Sequence, residues 1–306
     1  MEFLSTSRAP RILFDMFAIA IFGGFFTVPL YTLIQQRAEA AERSRVIAAN
    51  NVMNALLMVA ASIMLAVLFA QKISVPHMFL IVAGLNAAVA IYIYSLLPEF
   101  LLRFVAFVLA RVMYRLEVFG HEKVPETGGV VVVCNHVSFV DFMIIAGSIR
   151  RPTRFVMDHR IAATPGVSAL FKQVKAIPIA PEREDKALME SAFQRIAQEL
   201  RDGEVVCIFP EGRLTRDGDI AAFKSGVERI LARSNDAGRP VPVVPMALKG
   251  MWRSMWSHND TRMGRMRLPR RFRAHVEVVA GAPVDGREAT AELLEAKVRE
   301  LRGDAA

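Results

Sequence analysis

The chain has 306 residues, of which 53% are hydrophobic, and a mean hydropathy of +0.32, which is high for a soluble protein. Its net charge of +8 and its pI of about 9.9 suit contact with anionic lipid, nucleic acid or an acidic protein. The two cysteines, Cys134 and Cys207, lie in apolar strand-like runs, which favours small core residues and excludes a disulfide framework or a metal pair.

Three N-terminal segments are long and apolar enough to span a bilayer, so residues 1–100 are predicted to form an α-helical transmembrane region. Each has about 23 residues, which is about 35 Å of helix against a hydrocarbon core of about 30 Å. None has the features of a cleavable signal. The predicted spans are 12–34, 48–70 and 75–97.

The basic residues predict how these helices are oriented. The loop between the first two spans carries Arg37, Arg43 and Arg45, whereas the next loop carries only Lys72. By the positive-inside rule, the first of these loops and everything after the third span face the cytoplasm. Two arginines before the first span oppose this orientation.

Polar side chains also fall within or at the ends of these spans, among them Asp15, Asn50, Asn54 and Asn86. Such groups usually face other helices, and three helices offer few partners. The stretch 31–55 resembles the cytoplasmic loop and following helix near the end of major-facilitator lysophospholipid transporters. The resemblance covers about residues 10–100 and implies the last three transporter helices, which either belong to a longer chain or remain as an anchor. Alone they should not transport.

The next segment, 101–116, is shorter and more basic. On a helix, Arg103, Arg111 and Arg115 fall within an arc of about 120°, with most of the apolar residues elsewhere. This pattern is typical of a basic amphipathic interfacial helix that lies on an anionic leaflet. The alternative, which has equal support, is a helix packed on the domain that follows.

Strand-like and helix-like segments alternate over residues 117–306, and turns rich in glycine or proline separate them. This alternation predicts an α/β domain in which helices cover a mixed sheet. Strands are expected near 114–119, 129–134, 153–157, 176–179, 204–209, 242–248 and 273–279. Helices are expected near 139–149, 161–173, 184–201, 222–235 and 287–302.

A histidine and an aspartate follow the second predicted strand, in the stretch NHVSFVD at 135–141. On an unbroken helix, residues five positions apart point about 140° apart, so His136 and Asp141 can meet only if His136 lies in a loop. Ser138 and Asp141 fit a capping box with Ser138 as N-cap. Asp141 can then orient the imidazole and leave its other nitrogen as a base. The alternative is that Asp141 only caps the helix and His136 is an ordinary loop residue.

A second motif, FPEGR at 209–213, directly follows another buried strand. Gly212 permits a tight turn there, and Arg213 can offer a planar fork to a phosphate. Glu211 can hold that fork or a substrate hydroxyl. Lys224 precedes the next predicted helix, whose N-terminus is a natural anion site. The alternative is an ion pair that Glu211 makes with Arg213 or Lys224 on a structural turn.

The H-x4-D motif, the FPEGR motif and the stretch VPVVP at 241–245 occur in the order that is typical of one family. Over about residues 115–280 the chain resembles the glycerolipid acyltransferases of the 1-acylglycerol-3-phosphate type. The resemblance implies that His136 is the base and Asp141 orients it. It also implies that the turn carrying Glu211, Gly212 and Arg213 binds the glycerol phosphate, together with Lys224.

One block departs from the family pattern. The family's Gly-x-Ile-Phe-Ile-Asp-Arg element should fall at 175–181, where the chain has KAIPIAP and so lacks the glycine and the Asp-Arg pair. The headgroup of the acceptor is therefore left open. Some bacterial lysophospholipid transporters carry a fused acyltransferase, so we expect a multi-pass protein of the bacterial inner membrane with a cytoplasmic catalytic domain.

The predicted chemistry is an O-acyl transfer from a thioester, either acyl-CoA or acylated acyl carrier protein (acyl-ACP), to a lysophospholipid hydroxyl. No serine or cysteine is placed as a nucleophile and no cluster has metal-ligand spacing, so direct transfer without a metal or other cofactor is expected. His136 must be unprotonated, which predicts activity falling below about pH 6.5. The rival hypothesis is a non-enzymatic, lipid-binding remnant of a transporter fusion.

An arginine-rich tract follows Trp252 and Trp256. It is interpreted either as a solvated basic loop or as a surface that docks on anionic lipid or on acidic acyl carrier protein. No nucleic-acid-binding module is recognised, so nucleic acid is not expected as a partner. The arginines are Arg262, Arg265, Arg267, Arg270, Arg271 and Arg273.

Overall fold

The computed structural model describes residues 6, 8–39, 41–96, 98–166, 168–234, 240–252, 254 and 273–304. The chain divides into two compact units, Met1–Ile93 and Tyr94–Ala306. Each unit follows from the apolar pattern of its own segment, and each is described here by itself.

The first unit consists of long apolar helices, and α3 runs just past its end. The helices are α1 (Ala9–Arg37), α2 (Arg43–Ala70) and α3 (Val75–Leu96). All three are long and apolar enough to cross a membrane. Their large apolar side chains point outward, as shown by Phe22, which is 70% exposed, and Leu80, which is 72% exposed. Exposed apolar side chains of this kind are typical of membrane-spanning helices.

Two of the polar residues in the predicted spans have partners on a neighbouring helix. The side-chain amides of Asn50 and Asn54 on α2 donate to the Tyr31 hydroxyl on α1, at 3.1 and 3.0 Å. These contacts agree with the expectation that polar groups in a span face another helix.

The described residues of the second unit form a seven-stranded mixed sheet with the order β1-β7-β6-β2-β5-β3-β4. Strands β2 to β6 run parallel to one another, whereas β7 runs antiparallel to β6 and carries β1 parallel to itself. The strands are β1 (Tyr114–Phe119), β2 (Val130–Cys134), β3 (Thr153–Asp158), β4 (Ile177–Ile179), β5 (Val205–Ile208), β6 (Val243–Lys249) and β7 (Ala274–Ala280).

Helices cover both faces of this sheet, which is why its central strands are continuous apolar runs. On β2, Val131 and Val133 pack with α8, α9 and α10, while Val130, Val132 and Cys134 pack with α4 and α5. The helices are α4 (Pro98–Met113), α5 (Asp141–Ser148), α6 (His159–Ala162), α7 (Ser168–Gln173), α8 (Lys186–Arg201), α9 (Gly226–Ser234) and α10 (Ala291–Arg302). The predicted α/β architecture is confirmed.

The prediction of one continuous helix over 161–173 was wrong. The structure has two short helices, α6 and α7, separated at Pro165 and Gly166. Proline disfavours a helical conformation in the preceding residue, and Gly166 adopts φ +88°. This break was visible in the sequence as a Pro-Gly pair.

The helix predicted from 222 begins later, at Gly226. The backbone N–H of Phe223 donates to the Glu295 carboxylate at 2.9 Å, and that of Lys224 donates to the Pro210 carbonyl at 3.0 Å. These residues are therefore held by contacts to distant parts of the chain. The helix predicted from 287 likewise begins at Ala291, because Thr290 is its N-cap.

The helix predicted over 101–116 ends at Met113. Tyr114 is fully buried and pairs with Ala274 in the sheet, so 114–116 belong to β1. One face of α4 packs on α5: the Arg103 guanidinium donates to the carbonyls of Ile149 at 3.2 Å and Arg150 at 2.8 Å. The opposite face exposes apolar side chains, such as Val112, to solvent.

Candidate active site

The two sequence motifs meet because their strands are neighbours. Strands β2 and β5 pair in parallel, with Val131 opposite Val206. Their carboxyl ends therefore lie at the same edge of the sheet, which is where α/β folds commonly place active sites. The loop after β2 carries His136 and the turn after β5 carries Glu211.

Asn135 sets the direction in which the chain leaves β2. Its buried side-chain amide donates to the Leu248 carbonyl at 3.1 Å and accepts from the Leu248 N–H at 2.8 Å. The side chain thus continues the ladder between β2 and β6 by one step and frees the backbone to turn. The sequence analysis missed this residue, although a polar residue directly after a buried strand was the available signal.

Asp141 organises the loop as well as the histidine. A single carboxylate oxygen, Oδ2, accepts from His136 Nδ1 at 2.9 Å and from the N–H groups of Val137 at 2.7 Å and Ser138 at 2.9 Å. The residue is fully buried. Because the carboxylate accepts a hydrogen bond from Nδ1–H, the lone pair lies on Nε2, which is the nitrogen that can act as a base.

The predicted capping box was only half right. Helix α5 begins at Asp141, so Val140, and not Ser138, precedes the first helical residue. The Asp141 carboxylate does receive the Ser138 N–H, but the Ser138 hydroxyl accepts from Val140 N–H at a long 3.4 Å. The loop has four non-helical residues after His136, and they bring the imidazole back to the carboxylate.

The imidazole is also held on its face. The Phe209 ring stacks on His136 with 4.1 Å between centroids and 15° between planes. The His136 side chain keeps 22% of its surface exposed, so the histidine remains open to a substrate. The sequence analysis did not single out Phe209, because no local pattern connects two residues on different loops.

Glu211 lies beneath this pair and is only 1% exposed. Its Oε1 accepts from the His136 N–H at 2.8 Å, and its Oε2 accepts from the Ala221 N–H at 2.9 Å. Burial raises the pKa of the carboxyl above its ordinary value, although the two N–H groups favour the charged form. The sequence analysis expected this carboxylate to meet an arginine fork or a substrate hydroxyl, and instead both of its oxygens face backbone N–H groups.

Gly212 makes room for a cation. It adopts φ +64°, and a Cβ there would lie 2.6 Å from Lys224 Nζ. The Lys224 side chain therefore crosses the turn beside Arg213, and both residues are exposed. Within the described ranges, neither the Arg213 guanidinium nor the Lys224 ammonium makes a hydrogen bond or ion pair. Two cations without partners are suited to bind a phosphate.

A pocket of about 180 Å³ adjoins these residues. Its lining is connected to the base, because Thr215 N–H donates to the His136 carbonyl at 2.9 Å and Ala221 contacts Glu211. The volume is several times the share of one water, about 30 Å³. The pocket is lined by Arg213, Thr215, Arg216, Asp217, Asp219, Ile220 and Ala221.

The two cysteines are buried in the core, as the sequence predicted. Burial raises the pKa of both thiols well above the ordinary value. Among the described residues no group of three or more His, Cys, Asp or Glu side chains could hold a metal ion. Of the arginine-rich tract, Arg262 to Arg271 and Trp256 lie outside the described residues, so neither interpretation of the tract is tested.

The chain is similar to known acyltransferases. The model of the acyltransferase family matches residues 115–249, a segment that runs from β1 through β6 and contains both motifs. A chloroplastic 1-acyl-sn-glycerol-3-phosphate acyltransferase of Brassica napus is 27% identical over 158 residues, which cover 49% of this chain and 44% of that protein.

A 1-acyl-sn-glycerol-3-phosphate acyltransferase of Bacillus subtilis is 25% identical over 136 residues, covering 44% of this chain and 63% of that protein. The chain thus spans about half the length of these relatives. The crystal structure of the 1-acyl-sn-glycerophosphate acyltransferase PlsC from Thermotoga maritima superimposes with a TM-score of 0.51 at 21% identity, covering 68% of this chain and 85% of that one. Residues 115–249 therefore match the model of the acyltransferase family, and the fold that contains them is that of PlsC.

Proposed function

We propose that the protein is an O-acyltransferase that moves a fatty acyl group from a thioester donor to the free hydroxyl of a lysophospholipid of the 1-acylglycerol-3-phosphate type. The observation that carries the proposal is the contact of 2.9 Å between His136 Nδ1 and Asp141 Oδ2. It leaves Nε2 as a base on a loop that Glu211 joins to the turn of Arg213, and within the described ranges neither Arg213 nor Lys224 makes a hydrogen bond or ion pair. The donor is acyl-CoA or acyl-ACP.

The transfer follows from this geometry. His136 Nε2 takes the proton from the acceptor hydroxyl as its oxygen attacks the thioester carbonyl carbon, and the C–S bond then breaks. The imidazolium returns the proton to the leaving thiolate, so the base is regenerated. The buried Asp141 carboxylate stabilises the imidazolium while it exists, and the Phe209 ring keeps its plane aligned.

The cations position the acceptor. A phosphate bound by Arg213 and Lys224 holds the glycerol hydroxyl near the base, and such positioning supplies a large share of a transfer rate. No second covalent step is needed, since both cysteines are buried and Ser138 is fully buried. Direct transfer is therefore the mechanism that these residues support.

The N-terminal helices support a membrane location for this chemistry. We place the protein in a bacterial inner membrane as a multi-pass protein with its catalytic domain in the cytoplasm, following the positive-inside rule. The helices serve as an anchor derived from a lysophospholipid transporter. The exposed apolar face of α4 is suited to lie on a membrane surface.

The test is a matrix of donors and acceptors with the purified full chain in detergent, with products identified by mass spectrometry. We expect acyl transfer that falls by about 10²–10⁴-fold in His136→Ala, because general-base catalysis contributes about that factor. Transfer retained in this variant would end the mechanism. Absence of transfer with every thioester donor would instead favour the rival function, a non-enzymatic lipid-binding protein.

A further inference from the structure

The Glu211 carboxylate is not accessible from the protein surface. It is 1% exposed, and its oxygens accept from the N–H groups of His136 at 2.8 Å and Ala221 at 2.9 Å. A substrate hydroxyl or phosphate could reach it only if the residues that bury it moved apart. The carboxylate is thus separated from the acceptor.

Glu211 connects the loop of the base to the segment that lines the pocket. Its Oε1 holds the backbone of the base, and its Oε2 holds Ala221, which lines the pocket beside Arg213. The same segment also holds His136 by its carbonyl, through Thr215 N–H at 2.9 Å, and by its ring, through Phe209. Residues 209–221, which include the proposed phosphate ligand Arg213, therefore hold the His136 loop in place. The buried carboxylate of Glu211 lies at the centre of these contacts.

We propose that Glu211 is a positioning residue that sets the distance between the His136 base and the phosphate pocket, and that it does not bind the acceptor. The proposal rests on the acyltransferase function given above. It departs from the role in glycerol phosphate binding that the sequence resemblance implied, and it leaves Arg213 and Lys224 as the phosphate ligands.

The change Glu211→Gln tests this arrangement. A carboxylate offers one oxygen to each N–H group, whereas a glutamine amide has one oxygen and an NH2 that also donates. One backbone N–H then faces another donor, so either the loop of His136 or the segment of Ala221 must move. A displacement of about 1 Å at a catalytic group can cost about 100-fold in rate.

Two acceptors separate positioning from binding: 1-acylglycerol-3-phosphate and monoacylglycerol, which offers the same hydroxyl without the phosphate. We expect Glu211→Gln to lower kcat by about tenfold to 100-fold with both acceptors, with the KM for the phosphate acceptor changed by less than about threefold. Arg213→Gln is the contrasting variant, and it should raise that KM and reduce the preference for the phosphate acceptor.

The control for the substitution itself is Glu126→Gln, since Glu126 is exposed and belongs to neither motif. Thermal unfolding of each variant in detergent reports whether it folds. Where Glu211→Gln does not fold, Glu211→Asp retains the charge but is one methylene too short to reach both N–H groups, and it should show the same loss of kcat.

A selective loss with the phosphate acceptor, seen as a raised KM at unchanged kcat, would overturn the proposal and make Glu211 an acceptor ligand. If the wild type acylates monoacylglycerol too slowly to measure, the phosphate acceptor alone distinguishes the two roles. A lowered kcat indicates positioning, and a raised KM indicates acceptor binding. Failure of the wild type to acylate any acceptor would overturn the proposed function instead, which is a distinct result.

Discussion

At the scale of single residues, Asp141 shows how one side chain serves both structure and chemistry. The sequence left open whether it caps a helix or orients His136, and the structure has it at the helix start with the imidazole and two loop N–H groups on one oxygen. The loop conformation and the tautomer of the base therefore depend on the same atom. Structure and charge can be separated by a substitution that keeps an oxygen there.

The variant Asp141→Asn makes this separation. Its amide oxygen can accept the same three bonds, so the loop should keep its shape, but the charge that stabilises the imidazolium is lost. We expect kcat to fall by about 100-fold or more, within the range of general-base catalysis, while the thermal unfolding midpoint moves by only a few degrees. Kinetics and thermal unfolding in detergent check both statements.

The control for Asp141→Asn is Asp202→Asn, which changes an exposed carboxylate at the end of α8. It should leave kcat and the unfolding midpoint near those of the wild type. If Asp141→Asn kept full activity, the carboxylate would have a structural role alone, and the mechanism would need another source of imidazolium stabilisation.

At the scale of elements, the site depends on how β2 ends. A strand that continued would carry His136 along the sheet, away from the turn after β5. Asn135 ends it by taking over both hydrogen bonds to Leu248 with its side chain. This bond pair is fully buried, so it also contributes to stability.

Replacing this side chain should weaken the fold. Asn135→Ala leaves the Leu248 N–H and carbonyl without partners, which costs about 1–3 kcal/mol per buried group left unsatisfied. We expect the unfolding midpoint to fall by roughly 2–4 °C for each kcal/mol, and activity to fall with it as the loop loses its direction. Thermal unfolding and kcat measure the two effects.

A matched change on an exposed helix position is Gln198→Ala, which should cost less than about 0.5 kcal/mol. An unfolding midpoint for Asn135→Ala equal to that of Gln198→Ala would show that the ladder between β2 and β6 does not need the Asn135 side chain.

At the scale of the whole molecule, the chain combines two units with opposite surfaces. One exposes large apolar side chains along three helices that could span a membrane, and the other encloses its apolar residues on both faces of a sheet. The proposed orientation puts the loop at Gln71 and Lys72 outside the cell and the catalytic domain inside.

This orientation can be measured by thiol labelling, because both native cysteines are buried and their raised pKa values make them poor nucleophiles. In spheroplasts, a membrane-impermeant thiol reagent should label Gln71→Cys at once. It should label Glu182→Cys, at an exposed site of the catalytic domain, only after the membrane is permeabilised. The reverse pattern would show that the positive-inside rule misplaces this protein.

How much the sequence predicted depends on the range of the interaction. The membrane-spanning lengths, the strands of the sheet and the paired His136 and Asp141 all follow from neighbours along the chain, because apolar period and local spacing are properties of short segments. The helix break at Pro165 and Gly166 also follows from a local pattern.

The sequence by itself determined the order of elements, the apolar helices and the residue types of the site, because each depends on residues that are close together along the chain. Only the tertiary structure decided what those residues touch. The stack of Phe209 on His136, the two backbone bonds of Glu211 and the bond pair of Asn135 join segments up to 113 positions apart. Such contacts exist because parallel strands bring their ends to one edge of the sheet, and strand order is a property of the whole packed domain.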